Sequence, residues 1–375
     1  MKKHPINDGP YSQRDNPGIG VLVARILWKW GTSNTRTFPF LMKNAWHLWR
    51  SGLIRNKQSG LLKAHLPTVI AISPTMRCNY NCLGCYSRDR DCRDELTIEE
   101  LGLLLREAEQ LGISAVVVTG GEPFIQEDMV NLIENHPRLL FVPITNGSLI
   151  TKDTARRLAR SGNNIVLVSL EGSPADTDVR RGKGAYSRVE QAFANLREAR
   201  ACFGFAATNT RLNSDYLSSR VFIDKMIDYG CMTGFYSEYV PSGPRIEEDW
   251  ALTEADRAVF RSKVLTIRRT MPIVLVQFPQ DEYGEDNICS AAGQASLHIN
   301  SQGYVEPCPF VPVAVDNIRS GGLLSACRSD FLCSIRKEPE LLKREKYACA
   351  LFEHLPEIQS LCHGFKAEQT FTHNK

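Results

Sequence analysis

From Pro67 to about Gly243 the chain alternates short apolar runs with longer segments whose apolar residues recur every three or four positions. The short runs Val69–Ser73, Ala115–Thr119, Leu140–Thr145, Ile165–Leu170, Phe203–Thr208 and Gly234–Val240 predict strands. Between them Thr97–Leu111, Asp128–Asn135, Thr151–Ser161, Ser187–Ala201 and Leu217–Tyr229 read as helices. Thr97 followed by Glu100 is a capping box, which marks the first of these helix starts. Six strand–helix units with short polar joints predict a parallel sheet covered by helices. Six are too few to close an eight-stranded barrel, so the expected fold is α/β, a partial (β/α)6, TIM-like barrel open on one side.

Outside this stretch the rhythm changes. Residues 246–288 read as a connector, with a helix from Thr253 to about Arg269 and a strand at Ile273–Phe278. From Cys289 onward the alternation stops and six cysteines appear. The expected organisation is a basic, Trp-rich helical segment at 1–66, a core at 67–245, the connector, and a small cysteine-rich module at 289–375.

The chain has 375 residues, 43% of them hydrophobic, so it can bury a substantial core. Net charge is only +3, and no nucleic-acid partner is expected. The distribution is uneven: residues 1–66 hold eleven Lys or Arg against Asp8 and Asp15 alone. Arg25 and Lys29 interrupt the apolar stretch Gly18–Trp30, no cleavage-site pattern follows, and no run approaches a membrane span. A cytoplasmic location is therefore expected, where cysteines serve as metal ligands or core residues rather than disulfides.

The chemistry concentrates at Cys78, Cys82 and Cys85, in MRCNYNCLGCYS just after the first strand. Three thiolates can hold three irons of a four-iron, four-sulfur cube and leave the fourth iron open to a chelating ligand. The next strand ends in Thr119-Gly120-Gly121-Glu122-Pro123, where missing Cβ atoms let backbone come close to a ligand. A structural zinc site completed by Cys92 is the competing reading, but it gives no reason for the glycine turn. C-x3-C-x2-C followed by a GGEP-like turn resembles the radical S-adenosylmethionine (radical SAM) enzymes.

That resemblance implies a [4Fe-4S] cluster that binds S-adenosylmethionine and splits it to a 5′-deoxyadenosyl radical, with a low-potential donor of flavodoxin or ferredoxin type. It also implies cofactor contacts from Gly120, Gly121, Glu122 and Pro123, and from the strand ends at Asn146 and Ser169. Asn213 is expected to reach the methionine carboxylate, or equally to serve its own turn. Glu171 stands where relatives carry an acidic residue and also fits a turn carboxylate; Arg180 or Arg181 is placed to pair with the cofactor carboxylate, while at least one of the two reads as part of a solvated charge run. Relatives set an aromatic residue before the third cysteine, against the adenine. Here that residue is Gly84, leaving Tyr86 either to substitute or to pack beneath the loop.

In CSAAGQASLHINSQGYVEPCPF, Leu297–Ile299 and Tyr304–Val305 read as a hairpin whose flanks bring Cys289 and Cys308 together. This resembles the opening of the SPASM and twitch extensions of radical SAM enzymes, which implies one auxiliary [4Fe-4S] cluster. Cys349 is favoured as its third ligand, with Cys362, Cys327, Cys333 or none as the fourth. A zinc knuckle is the alternative. Cys327 and Cys333 read as one helix, about 240° apart around its axis, so both are not expected at one cluster. Cys202 and Cys231 read as core residues, and His298 and His354 as surface histidines, candidates for a base by residue type only.

Trp28, Trp30, Trp46 and Trp49 lie among Arg25, Lys29, Lys43 and Arg50, so VLVARILWKW and FPFLMKNAWHLW each suit an aromatic amphipathic helix. Such a helix either caps the barrel with its basic side in water or lies in a membrane interface, peripheral to the inner face. The second case would suggest a lipid substrate. A peptide, a lipid or a small molecule all fit the chemistry, the net change being an oxidation or a modification. A non-catalytic iron–sulfur or zinc scaffold is the rival class.

Overall fold

The structure, a computed structural model, describes residues 37–88, 90–242, 247–284, 286–290, 293–363 and 368–369. Trp28, Trp30 and the segment VLVARILWKW lie outside the described residues.

The apolar runs form strands β1 (Val69–Ile72), β2 (Ala115–Val118), β3 (Leu140–Thr145), β4 (Val166–Ser169), β5 (Phe203–Asn209) and β6 (Thr233–Glu238). Each pairs in parallel with the next. β4 is buried along its whole length, as expected of a strand covered on both faces. Helices between the strands cover the outside. The first of them, Ile98–Leu111, carries the predicted Thr97–Glu100 capping box and buries Leu101, Leu104, Leu105 and Ala108.

The six units do not end the sheet. In the connector, β7 (Val274–Phe278) adds a seventh parallel strand beside β6. At the other edge, β8 (Ser296–Ile299) from the cysteine-rich stretch pairs in parallel with β1, and β9 (Val305–Glu306) folds back antiparallel on it. The nine strands run in the order β7-β6-β5-β4-β3-β2-β1-β8-β9, curled into a half-barrel. The predicted hairpin therefore extends the core sheet instead of standing apart from it. Curling brings the two edges together, because Phe278 and Pro279 at the end of β7 line one small cavity with Ser296 and Leu297 of β8.

Register positions the functional loops. Ile72 is level with Val118 on one side and Ile299 on the other. The cysteine loop, the glycine turn and the hairpin turn thus leave the sheet at one edge, tied by Thr119 N–H to Ile72 C=O (2.8 Å) and Ser73 N–H to Ile299 C=O (2.9 Å).

Cys327 and Cys333 do not share a helix, contrary to the expectation. One helix ends at Cys327 and another starts at Asp330, because Ser329 caps the second by accepting Leu332 N–H. Cys327 packs in the core, where burial pushes its thiol up to about 12.

The N-terminal helix α1 (Thr37–Leu62) crosses the opposite edge of the sheet. Arg55 donates to Ser114 Oγ (3.1 Å) just before β2, and Asn44 donates to Gly162 C=O (3.2 Å) ahead of β4. Among the described residues no helix is long and apolar enough to cross a membrane.

Candidate metal centres and cofactor site

The cysteine loop begins on a stem held by Glu95, whose carboxylate accepts the Thr75 hydroxyl (2.8 Å) and Met76 N–H (2.6 Å). The glycine turn grips that stem: Gly121 N–H donates to Thr75 C=O and Glu122 N–H to Arg77 C=O, both at 2.9 Å. A Cβ on Gly121 would fall 2.1 Å from the Arg77 carbonyl oxygen. The bare glycines thus permit a close approach of two loops. Gly84 takes φ +59, and a Cβ there would meet Tyr239 at 3.0 Å and Trp250 at 3.2 Å. Two rings occupy the space beside the residue before the third cysteine.

Cys78, Cys82 and Cys85 share this loop. Burial, and then the neighbouring thiols of Cys82 and Cys85, push the Cys78 thiol up to about 11, with a bond from Tyr80 N–H working the other way. Burial also raises Cys82, opposed by Arg181 and Arg180. Cys92 is exposed and sits on the Arg90 carbonyl, and the three loop thiols are not among the groups that shift it. Among the described residues no three ligating side chains stand at the spacing of a single metal ion. A four-iron cube spreads its thiolates more widely than one ion does.

The Glu122 carboxylate is committed to bonds within the protein. It is buried and accepts Thr145 Oγ1–H (2.7 Å), Asn146 N–H (2.7 Å) and Phe124 N–H (3.2 Å), while burial raises its pKa. It locks the end of β2 to the end of β3. Asn146 in turn donates to Asn79 Oδ1 (2.8 Å) inside the cysteine loop. Asn213 is likewise consumed: Oδ1 accepts Thr210 N–H and Oγ1–H, and Nδ2 donates to Glu171 C=O and Thr208 C=O. The turn role is the one its bonds support.

Arg180 and Arg181 both reach Glu171 Oε1, at 2.6 Å, and neither belongs to a solvated run. Arg180 also donates to Leu83 C=O (3.1 Å), bringing positive charge against the cysteine loop. The two guanidiniums work against the burial that raises the Cys82 thiol. The second oxygen of Glu171 is buried without a hydrogen-bond partner, as is Asn209 Oδ1 at the end of β5. Sequence reasoning missed Asn209; its signal was a polar residue closing an apolar strand. Ser169 closes β4 in the same way and is buried. Two orphaned acceptors beside the cysteine loop suit the hydroxyl and ammonium donors of S-adenosylmethionine.

Tyr86 packs beneath the loop. Its hydroxyl bonds Thr119 Oγ1 (2.8 Å) and its ring meets Phe310 edge-on at 5.3 Å. Phe310 lies 6.1 Å from Phe278, at the cavity shared by Cys289, Cys308 and Cys349. Cys349, and then Cys289, lie close enough to act on the Cys308 thiol. Cys362 and Cys327, though buried, do not line that cavity. Three thiols in one pocket suit a second cluster.

His298, expected at the surface, is completely buried. It lies between Ser73 Oγ (2.8 Å) and Glu306 Oε2 (2.7 Å). Arg90 pairs with the same carboxylate at 3.2 Å and donates to Pro309 C=O (2.7 Å).

Residues 72–206 match the family model of the radical SAM superfamily. The chain is 28% identical over 229 residues to Fe-coproporphyrin III synthase of Methanosarcina barkeri, a match spanning 59% of this chain and only 56% of that protein. It is 24% identical to the AdoMet-dependent heme synthase of the same organism, over 80% of this chain and 91% of that protein. The fold is similar to that of Streptococcus suis SuiB bound to its precursor peptide SuiA, with a TM-score of 0.63 at 21% identity, covering 80% of this chain and 73% of that one. With the cysteine loop and the glycine turn in place, the family match leads to one conclusion: residues 72–206 form a radical SAM domain.

Proposed function

We propose that this chain is a radical SAM enzyme that oxidises or otherwise modifies a peptide. Cys78, Cys82 and Cys85 would hold the cluster that binds S-adenosylmethionine, and Cys289, Cys308 and Cys349 an auxiliary cluster. When bound, these groups supply one electron to cleave the sulfonium and a site to receive an electron from the oxidised substrate. The chain's own residues do the positioning. Gly120, Gly121, Glu122 and Pro123 fix the distance between loop and sheet, Asn146 steadies the loop through Asn79, and Ser169, Glu171 and Asn209 face the cofactor. Tyr86 and Phe310 fill the space between the two cysteine trios and keep water from it.

The observation that carries this reading is the pair of buried, unpartnered acceptors on Glu171 and Asn209, together with a three-cysteine loop that Arg180 and Arg181 approach at Cys82. A zinc scaffold offers no occupant for them. The peptide-bound SuiB neighbour supports a peptide substrate; the heme synthase match supports a tetrapyrrole as the second reading. We also propose that residues 1–66 make a peripheral membrane contact, and that residues 289–375 act as an auxiliary-cluster unit.

The test is anaerobic reconstitution with iron and sulfide, then addition of dithionite and S-adenosylmethionine. 5′-Deoxyadenosine should form, and Cys82→Ala should abolish it. Zinc in place of iron, or product from the variant, would overturn the assignment.

A further inference from the structure

Helix α1 is amphipathic in the reverse of the usual sense. The face toward the protein carries Asn44 and Arg55, which seat the helix through hydrogen bonds to Gly162 and Ser114, and the backbone at Ser51 and Arg55 packs so closely on Gly112 that a Cβ there would not fit. The outward face carries Met42, Trp46, Trp49 and Leu53, each more than half exposed. At about 100° per residue these four fall within about 60° of one another. Six of the eleven exposed large apolar side chains among the described residues lie on this one helix. Scattered exposed apolar residues are ordinary; a contiguous stripe on one element marks an interaction surface.

Charge identifies the occupant. The helix contains Lys43, Arg50, Arg55 and Lys57 and no Asp or Glu. Arg50 and Lys57, both exposed, stand on one flank of the stripe, about 60° to 80° from Met42. The Trp46 and Trp49 rings lie 5.0 Å apart, at the centre of the stripe. Paired indoles beside cations, with no carboxylate to repel phosphate, suit the headgroup layer of an anionic bilayer. A second copy of this face would bring the same cations against one another.

We propose that the outward face of α1 docks on an anionic lipid surface and that the cofactor edge of the sheet then points away from it. The direction follows from the strands. α1 crosses the ends at which β2 and β4 begin, whereas the cysteine loop and glycine turn leave the ends at which β1 and β2 finish. Membrane attachment would therefore not present the site to lipid, and the lipid substrate suggested by the sequence loses its support. The directional part rests on the cofactor assignment above; the docking part does not.

The test uses the full chain with phosphatidylcholine vesicles made with and without phosphatidylglycerol. Co-sedimentation should require phosphatidylglycerol and weaken with salt. A Trp46→Glu/Trp49→Glu variant should partition at least about tenfold less, and Arg50→Glu/Lys57→Glu should lose the phosphatidylglycerol preference. Circular dichroism of both variants should match the parent. Equal sedimentation of parent and tryptophan variant, or no preference for the anionic lipid, would overturn the docking. So would a parent dimer that the tryptophan variant disperses, since the face would then belong to a second copy. Vesicle-bound enzyme should form 5′-deoxyadenosine with dithionite at the rate of free enzyme; loss of that rate on vesicles would overturn the orientation. Absence of 5′-deoxyadenosine from the free enzyme would count against the cofactor assignment alone and leave the sedimentation result standing.

Discussion

Nδ1 of His298 lies 2.7 Å from Glu306 Oε2 across the β8–β9 hairpin, and neither side chain has any exposed surface. Ser73 joins from the end of β1 and Arg90 from the segment after the cysteine loop. Strand pairing alone would align these segments; the buried charges make the alignment specific. Removing one member of such a group takes a charge partner from the others where no solvent can replace it.

Glu306→Leu should therefore destabilise the chain by roughly 3–5 kcal/mol, because the buried Arg90 guanidinium would lose its carboxylate partner. Glu306→Gln, which keeps hydrogen-bonding capacity, should cost less. Urea unfolding of the two variants beside the parent measures this, and an unchanged midpoint in Glu306→Leu would show the pairing to be energetically idle.

Gly121→Ala puts a methyl group 2.1 Å from a carbonyl oxygen. Overpacking of this kind costs about 1–3 kcal/mol, and here it would be relieved by moving the cysteine loop off the sheet. The variant should retain its far-ultraviolet dichroism yet load less iron at the first cluster and form little 5′-deoxyadenosine. Full iron content with normal product would mean that the loop has slack.

Asp281 joins β7 to the helix before it. Burial works against its carboxylate, but bonds from Arg268, Arg261 and Gln277 N–H outweigh that and hold the pKa below the usual 3.8. A lowered folded-state pKa contributes stability that is present above the unfolded value and lost as pH falls through the folded one. Thermal unfolding followed from pH 7 downward should show that loss below about 4. Asp281→Asn should be less stable at pH 7 and show a flatter profile; a profile parallel to the parent's would reject the assignment.

A cavity of about 430 Å³ opens beside Asn79, Tyr80 and Asn81 of the cysteine loop, and its rim includes the exposed Lys183 and Arg188. Such a rim suits an acidic electron-donor protein. Lys183→Glu/Arg188→Glu should lower the rate of 5′-deoxyadenosine formation driven by reduced flavodoxin by about tenfold or more at low salt. The dithionite-driven rate should stay unchanged. Equal losses with both reductants would place the effect at the cofactor instead.

The sequence was most informative where structure follows local pattern. All six core strands, and the helix started by Thr97, sit where apolar spacing and capping predict them. It was silent on sheet order, since nothing local records that β8 pairs with β1, or that His298 meets Ser73 across 225 residues. The motif residues were legible as motifs; the bonds they make inside the protein were not. Glu122 and Asn213 stand beside the cofactor region, yet their bonding capacity goes to backbone and neighbouring hydroxyls, which only coordinates reveal. The break at Ser329 was legible in principle, since a serine before Asp330 is an ordinary cap.

β1 is flanked on both sides, by β2 from the first half of the chain and by β8 from the last quarter. A nascent chain released only as far as the connector would display a bare strand edge directly beside the cysteine loop, open to pairing with any other extended segment. Closing that edge requires synthesis to pass residue 299. Shortened products ending before that residue should accumulate as aggregates rather than as smaller working enzymes.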